Sequence, residues 1–406
     1  MPNPLMVRNH ARTSLLRVIA RRHLSLTPII SIIPPVLLPP VVFIGLTITL
    51  WAYKCMMMII FQNKIIYMPS MPPFSRREKI ADYQKLCGSI KWKEERTRSL
   101  DGVEIALCVG STRSGNPPSL NGNTINASAN NANTNTEQQD APLVTRNQKH
   151  IVILYFQGNG SSLPPRLPHL SAILNGLAKN HSDPGTAYTY TLVGVSYRGY
   201  WTSRGRASER GIHRDAIAAL RWARHRFQPT TINTTSATTT EMRIVLWGQS
   251  IGAGVATSLA ATDFHQLLHD SRTGFLAGNG SGSESGGISG IILETPFRSI
   301  KAMLLALYPQ RWLPYRYLSP FLRSWWDSEA AIQKIALRKG EKLGVLIVSA
   351  EHDELVPAGE ADALEQMCKS VDGVKVFRTD VKGALHNDAT ARGEGVAAVV
   401  RFLKGV

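Results

Sequence analysis

One stretch of the chain indicates its fold more clearly than any other: Arg243-Ile-Val-Leu-Trp-Gly248-Gln-Ser250-Ile-Gly252-Ala-Gly254. It joins an apolar, strand-like run to the pentapeptide Gly-x-Ser-x-Gly, and the small residues of 255–261 predict a helix that packs closely on a sheet. Such a turn exposes the serine hydroxyl at its tip, and its two glycines avoid a collision with the tight backbone. The stretch therefore predicts a nucleophile elbow with Ser250 as the nucleophile.

A second apolar run, His150 to Phe156, lies upstream and leads into a glycine-rich turn at 157–161. The run predicts a buried strand. Backbone amides at the end of such a strand can stabilise the negative oxygen of a tetrahedral intermediate in acyl transfer. We assign this oxyanion-binding role to the N–H groups of Asn159 and of Ile251, the residue after the nucleophile. A plain loop between a strand and a helix is the alternative interpretation of the turn.

Two further strand-like runs place an acid and a histidine downstream of Ser250. Residues 343–350 are apolar and lead to Asp353, and residues 374–377 precede a loop that contains His386. A carboxylate just past a strand can orient an imidazole. The chain order Ser, Asp, His is that of α/β-hydrolases and differs from the orders in chymotrypsin and subtilisin. We therefore predict a catalytic triad of Ser250, His386 and Asp353.

Other residues compete for these roles. Glu294 ends the strand-like run 291–293 and is the rival for the acid, since some hydrolases take the acid from that neighbouring strand. His352 is adjacent to Asp353 and is therefore badly placed to receive its hydrogen bond. The remaining candidates lie on strand or helix patterns, where a structural role is expected: His150, His213 and His225.

Together these stretches resemble the α/β-hydrolase superfamily, in particular its fungal membrane-anchored α/β-hydrolase-domain proteins with a serine-aminopeptidase-like core. The resemblance covers roughly residues 85 to 406. It is carried by Phe156-Gln-Gly-Asn-Gly160, Ser196-Tyr-Arg-Gly-Tyr200, Ser208-Glu-Arg-Gly211 with Asp215, Gly248 to Gly252, Glu294-Thr-Pro-Phe297, Asp353-Glu-Leu-Val-Pro357 and His386-Asn387.

The resemblance implies an α/β fold in which helices cover both faces of a mostly parallel sheet and a helical lid lies over the site. It implies Ser250 as nucleophile, His386 as general base and acid, and Asp353 as the orienting acid, with Asn159 and Ile251 as oxyanion donors. Many relatives have His-Gly where this chain has Gln157-Gly158. The support of the oxyanion loop therefore differs here, although the donor is a backbone group.

Two other features admit two interpretations each. Arg198 could bind a substrate anion, but we favour a brace that pairs it with Asp215 or Glu209. Residues 297–334, the lid segment, are rich in apolar and aromatic side chains. The lid segment either covers an acyl chain at the site or packs on the core, and the sequence does not separate the two.

The first 58 residues predict a membrane anchor. Residues 1–35 are predicted to be a basic arm, because they contain several arginines and the first acidic residue of the chain is Glu78. The apolar run Val36 to Met58 is long enough to span a bilayer, and its prolines, Pro39 and Pro40, fall in the first helical turn, where missing N–H groups cost least. Arginines ahead of the span favour a cytoplasmic N-terminus in an endomembrane such as the endoplasmic reticulum. A mitochondrial presequence is the alternative.

The catalytic domain is predicted over 85–406, with short antiparallel strands at 89–92 and 103–108 and a low-complexity insertion at 111–147. Similar short inserts occupy 229–240 and 277–287. Four Asn-x-Ser/Thr sequons would suit a luminal domain, namely Asn126, Asn180, Asn233 and Asn279.

Composition limits the partners. The net charge of +17 suits anionic lipid headgroups or anionic substrates, and no nucleic-acid-binding motif accompanies it. The four cysteines show no C-x-x-C spacing and argue against a zinc site. No nucleotide motif is complete, so we predict no metal and no organic cofactor.

We therefore interpret the chain as a membrane-anchored serine hydrolase of the esterase, lipase or thioesterase type, with lipid-like acyl substrates favoured. Its predicted partners are a lipid bilayer and an acyl ester or thioester. An amidase or an acyltransferase would carry the same triad. A non-catalytic membrane scaffold on a hydrolase fold is the alternative from another class.

Overall fold

The computed structural model describes residues 34–112, 147–179, 186–228, 240–262, 287–336 and 343–406. The chain divides into two compact units, residues 1–57 and 58–406. The predicted basic arm and the low-complexity insertion lie almost wholly outside the described residues. The two shorter inserts also lie almost wholly outside the described residues, and all four sequon asparagines lie outside the described residues.

Helix α1, Leu38–Tyr67, follows a short 3-10 turn at Pro35–Leu37. By length and composition the stretch Pro35–Tyr67 could cross a membrane, and it is the one such helix among the described residues. The helix continues past Met58, where the sequence pattern predicts its end. Residues 58–67 belong to the second unit, in which Gln62 and Tyr67 are buried. In these last turns the side chain of Gln62 donates to Phe321 O at 3.0 Å and accepts from Arg323 N–H at 2.7 Å.

The second unit is built on one sheet of eight strands in the order β1-β2-β4-β3-β5-β6-β7-β8. Strand β2 pairs antiparallel with both β1 and β4, and the other neighbouring pairs are parallel. The strands are β1 Trp92–Arg98, β2 Glu104–Ser111, β3 Asn147–Phe156, β4 Thr186–Val195, β5 Thr240–Gln249, β6 Ile288–Glu294, β7 Leu343–Ala350 and β8 Val374–Val381.

The predicted first strand is displaced. Residues 89–91 form a turn after Gly88, whose φ of +62° ends the preceding 3-10 helix, and β1 begins at Trp92. The side chain of Gln84 binds the second half of this segment, because its Nε2 donates to Ile90 O at 2.7 Å and its Oε1 accepts from Trp92 N–H at 3.1 Å. The prediction of a strand over 89–92 was therefore wrong by several residues.

Helices cover both faces of the sheet. The helices of this unit are α2 Ile80–Tyr83, α3 Leu167–Ala178, α4 Glu209–Phe227, α5 Ile251–Ala260, α6 Ile300–Leu307, α7 Ser328–Ala336, α8 Glu360–Lys369 and α9 Gly393–Gly405. Helices α3 and α9 pack together on one face of the sheet, and α4, α5, α7 and α8 line the other.

Strand β3 shows why the apolar runs are unbroken. Ile151, Ile153 and Tyr155 belong to the core on one face of the sheet. Their sequence neighbours Val152 and Leu154 belong to the core on the opposite face. Since successive side chains of a strand point to opposite faces, a strand covered on both sides must be apolar throughout. The predicted α/β fold with helices on both faces is confirmed, and the carboxyl ends of its parallel strands lie along one edge of the sheet.

Candidate active site

Ser250 occupies the turn between β5 and α5 with a φ of +51°, a value that side-chain-bearing residues rarely adopt. Its neighbours show why the turn needs glycine. A Cβ on Gly248 would lie 2.1 Å from Gly252 O, and one on Gly252 would lie 2.0 Å from Phe156 O. Ser250 N–H donates to Glu294 O at 2.8 Å, which ties the turn to the end of β6. The serine is thus held in a strained conformation at the carboxyl end of β5.

His386 and Asp353 are brought together from the loops after β8 and β7. His386 Nδ1 lies 2.9 Å from Asp353 Oδ2 and 3.0 Å from Oδ1. When Nδ1 carries the proton and donates it to this carboxylate, Nε2 is left with a free lone pair. His386 is only 2% exposed, so its orientation is fixed by the packing of its loop as well as by this bond.

Asp353 is held as a carboxylate by its surroundings. Burial raises its pKa, but the hydrogen bonds from His386 and from the amides of Val356 and Leu355 outweigh that effect and leave the pKa below its ordinary value. The two amides donate to Asp353 Oδ1 at 2.7 Å and 2.9 Å. The group therefore stays ionised at neutral pH and can hold the imidazole in one tautomer.

Two charged residues that the sequence analysis did not single out hold the histidine loop. His386 N–H donates to Glu354 Oε2 at 3.0 Å. Arg166 donates to Asn387 O at 3.0 Å and to Asn387 Oδ1 at 2.9 Å. Adjacency to Asp353 was the available signal for Glu354, whereas Arg166 is far from the loop in sequence and gave none.

Ser250 and His386 are not hydrogen-bonded to each other in the described part of the chain. In free enzymes the bond between nucleophile and base is often long and shortens only when substrate binds. The hydrogen bond between His386 and Asp353 is therefore already formed, whereas the one between His386 and Ser250 is not.

The two predicted oxyanion donors lie next to the serine. A Cβ on Gly158 would be 3.5 Å from Ser250 Cβ, which places the turn after β3 directly beside the nucleophile. The N–H groups of Asn159 and Ile251 donate to no acceptor among the residues that the structure describes. The side-chain amide of Gln157 is buried and, within the same ranges, has no partner. Free, adjacent amides are what stabilisation of an oxyanion requires.

Glu294 has different partners from those that an orienting acid needs. Its carboxylate accepts from Trp247 Nε1 at 3.0 Å and from Thr390 Oγ1 at 2.8 Å, and no hydrogen bond links it to His386 in the described ranges. Burial raises its pKa, although the bonds from Thr390 and Trp247 act in the opposite direction. The geometry favours Asp353 over Glu294 as the partner of the histidine.

The competing histidines lie elsewhere. His150 Nε2 is 2.9 Å from Thr191 Oγ1 on the sheet, and burial lowers its pKa to about 4, so it remains neutral. The ring of His213 lies between Ser258 and Thr262 at 3.1 Å and 3.3 Å. His225 and His352 are exposed. Among the described residues, none of the four is hydrogen-bonded to the carboxylate of Asp353.

Arg198 braces the fold. It is 6% exposed, and its guanidinium donates to Asp215 at 2.7 Å and to Asp101 at 2.8 Å. Its own N–H also donates to Asp215 at 3.0 Å. The hydrogen bonds from Arg198 hold the pKa of Asp101 well below its usual range. Glu209, the other predicted partner, instead accepts from the backbone of the lid segment, so Arg198 has no free charge for a substrate.

The lid segment presents apolar side chains to solvent. It contains α6 and a 3-10 helix at Pro314–Phe321, and its large exposed residues are Leu307, Trp312, Tyr317, Phe321 and Trp325. Trp326, by contrast, is buried, and a Cβ on Gly254 of α5 would lie only 2.8 Å from the Cβ of Trp326. One end of the lid segment is therefore fixed beside the nucleophile helix, and much of the rest remains uncovered.

Three known proteins are similar to this chain in sequence. The chain is 31% identical to Protein bem46 of Schizosaccharomyces pombe over 61% of this chain and 65% of that protein. It is 29% identical to Lysophosphatidylserine lipase ABHD12 of Danio rerio over 56% of this chain and 50% of that protein. The α/β hydrolase domain-containing protein WAV2 of Arabidopsis thaliana is 29% identical over 50% of this chain and 54% of WAV2. The chain thus matches about half to two thirds of each relative.

Among solved structures, an α/β-hydrolase from Vibrio vulnificus is 16% identical, with a TM-score of 0.49 over 84% of this chain and 92% of that one. The Pyrococcus furiosus esterase Pf2001 is also 16% identical, with a TM-score of 0.43 over 80% of this chain and 92% of the esterase. No protein-family model matches the sequence. The strand order, the elbow and the sequence relatives define the class of protein.

The chain has the α/β-hydrolase fold. The relatives that it matches are α/β-hydrolase-domain proteins of the Bem46 and ABHD12 type.

Proposed function

We propose that this protein is a membrane-anchored serine hydrolase that cleaves carboxylic ester or thioester bonds. The observation that carries the proposal is the hydrogen bond of 2.9 Å between His386 and Asp353 at the sheet edge where Ser250 lies. A positioned pair of imidazole and carboxylate is the requirement for activating a serine hydroxyl, whose own acidity is too weak.

In the proposed mechanism Ser250 Oγ attacks the carbonyl carbon, and its proton passes to His386 Nε2. Asp353 stabilises the imidazolium, while the amides of Asn159 and Ile251 stabilise the negative oxygen. The protonated His386 then gives its proton to the leaving alcohol or thiol, and an acyl group remains on Ser250. Water, deprotonated by the same imidazole, attacks this acyl-enzyme and releases the carboxylic acid. The steps need no metal ion and no organic cofactor.

Lipid-like acyl substrates suit the protein best. One relative is named a lysophosphatidylserine lipase. The lid segment carries exposed apolar and aromatic side chains, and the chain has a helix long and apolar enough to enter a bilayer. A hydrolase held beside a membrane meets its highest local concentration of acyl esters there. We infer that the acyl chain lies under the lid segment.

For the location we propose a single-pass anchor in an endomembrane, with the N-terminus in the cytoplasm. The support is the apolar stretch Pro35–Tyr67 and the run of arginines ahead of it in the sequence. Protease protection of intact microsomes tests this placement. A C-terminal tag that is digested without detergent would contradict it.

Labelling with a fluorophosphonate probe tests the proposed activity, because the probe traps an activated serine without knowledge of the substrate. We expect the detergent-solubilised full chain to be labelled and Ser250→Ala to remain unlabelled. Ser258→Ala is the matched control, since Ser258 lies on the same helix and bonds His213, and it should be labelled like the wild type. An unlabelled, folded wild type would refute the hydrolase proposal and favour the scaffold alternative.

A further inference from the structure

The last residue of helix α1 contacts three parts of the site region. Tyr67 is fully buried, and its main-chain oxygen accepts from Gly160 N–H at 2.9 Å and from the hydroxyl of Tyr200. Its own hydroxyl donates to Ser324 Oγ at 2.9 Å and accepts from Trp326 Nε1 at 3.0 Å. One residue therefore binds the turn after β3, the turn after β4 and the end of the lid segment.

The segment after Tyr67 extends this contact. Ser161 N–H donates to Met71 O, and a Cβ on Gly160 would lie 3.3 Å from the same oxygen. Gly160 and Ser161 both have positive φ, at +66° and +58°. For Ser161 this backbone conformation is unfavourable and persists only where the surroundings enforce it. Two carbonyl groups of residues 67–71 supply that enforcement.

Asn159, the candidate oxyanion donor, immediately precedes these two residues. Because the next two N–H groups are bound to Tyr67 O and Met71 O, the orientation of the peptide before them is set from the same side. Gln157 at the start of the turn is fixed separately, since its carbonyl accepts from the hydroxyl of Tyr197 at 2.8 Å. The turn is thus held at both ends, and the C-terminal end of α1 holds one of them.

We propose that Tyr67 is a positioning residue for the oxyanion loop, so that the end of the anchor helix is part of the catalytic machinery. This inference rests on the proposed function, because it assigns Tyr67 a task only if Asn159 stabilises an oxyanion. The hydrogen bonds of the Tyr67 hydroxyl fix its ring, and those that its carbonyl accepts fix its main chain to the loop. When they are lost, the loop relaxes from its positive-φ conformation and the Asn159 amide moves away from the developing charge. A misplacement of about 1 Å can cost about 100-fold in rate.

Two conservative variants of the full chain test the inference. Tyr67→Phe removes the bonds to Ser324 and Trp326, and Tyr200→Phe removes the donor to Tyr67 O. We expect each to lower kcat on a soluble ester by about 10- to 100-fold with little change in KM. The affinity for a trifluoromethyl ketone, whose adduct places a negative oxygen in the oxyanion site, should fall by the same factor as kcat/KM. Tyr190→Phe, another buried tyrosine, is the control and should match the wild type.

The outcomes separate the two proposals. All rates are taken per fluorophosphonate-labelled site, so that a loss of folded protein does not imitate a loss of catalysis. If both variants keep the wild-type kcat and ketone affinity and only melt at a lower temperature, Tyr67 is a purely structural residue and the inference is overturned. If the wild type itself is not labelled, the proposed hydrolase activity fails, and the role of Tyr67 fails with it.

Discussion

At the scale of single residues, the roles expected for the carboxylates of Asp353 and Glu294 follow from their partners. Asp353 faces His386 and two backbone amides, whereas Glu294 faces a tryptophan and a threonine. An acid that orients an imidazole must accept from it directly. Loss of charge at the two positions should therefore have different effects on catalysis.

We predict that Asp353→Asn lowers kcat by about 10⁴-fold, because an amide in this place favours the wrong tautomer of the imidazole. Glu294→Gln should keep kcat within a few-fold of the wild type. Steady-state hydrolysis of a soluble ester measures both variants, with labelled sites counted to correct for folding. Nearly full activity of Asp353→Asn, or a large loss in Glu294→Gln, would reverse the assignment.

The same pair predicts opposite pH dependences of stability. The folded pKa of Asp353 is lowered, so its contribution to stability is full above the usual carboxyl pKa of about 3.9 and is lost as pH falls through the lower folded value. Melting temperatures should therefore show an advantage of wild type over Asp353→Asn at pH 7 that shrinks near pH 3. The folded pKa of Glu294 is raised, so Glu294→Gln should gain on the wild type as pH rises above about 4.3. If the difference in melting temperature between the wild type and Asp353→Asn is the same at every pH, the proposed ionisation of Asp353 is contradicted.

At the scale of elements, the lid segment combines a fixed end with an uncovered middle. Its backbone near Trp325 and Trp326 donates to Glu209 at the start of α4. Trp312, near the middle, is 68% exposed. Several large exposed apolar side chains on one short segment, unlike a single exposed one, mark a surface that meets apolar groups of a partner or ligand. If that ligand is the acyl chain of a lipid, the segment should affect lipid substrates selectively.

We predict that Trp312→Ser lowers the hydrolysis of long-chain esters in mixed micelles several-fold and leaves a short, water-soluble ester almost unaffected. Leu86→Ser is the matched control, because Leu86 is 69% exposed on the short 3-10 helix before β1. It should change neither rate. An equal loss on both substrates in Trp312→Ser would assign Trp312 to folding rather than to lipid contact.

At the scale of the whole molecule, buried charges join distant parts of the second unit. Arg198 follows β4, Asp215 lies on α4, and Asp101 lies in the turn between β1 and β2. Removing one member of such a group leaves its buried partner without compensation. The cluster therefore stabilises the assembly of three elements.

We predict that Arg198→Met destabilises the protein by about 3–5 kcal/mol, because it leaves the fully buried Asp215 unpaired. Arg96→Met, which removes exposed pairs with Glu94 and Glu104, should cost no more than about 1 kcal/mol. Denaturant titration followed by intrinsic fluorescence compares the two. A change in KM without a loss of stability in Arg198→Met would instead indicate a substrate-binding arginine.

The fold class and the tight turn at Ser250 could be predicted from the amino-acid sequence alone. Strands buried on both faces, such as β3, require unbroken apolar runs, and the elbow requires glycine at Gly248 and Gly252, so both leave a direct mark on the sequence. The chain order of serine, acid and histidine also followed from the positions of these runs. The start of β1 was misjudged because a single side chain, Gln84, keeps residues 89–91 in a turn.

Which side chains meet in the folded protein could not be predicted from the sequence. Arg166 and Asn387, or Tyr67 and Gly160, are far apart along the chain and carry no shared pattern. Hydrophobic periodicity reports whether a residue is buried, but it does not report which strand end lies beside it, because that depends on the strand order in the sheet. The hydrogen bonds between His386 and Asp353 and between Gly160 and Tyr67 join residues that only the folded chain brings together.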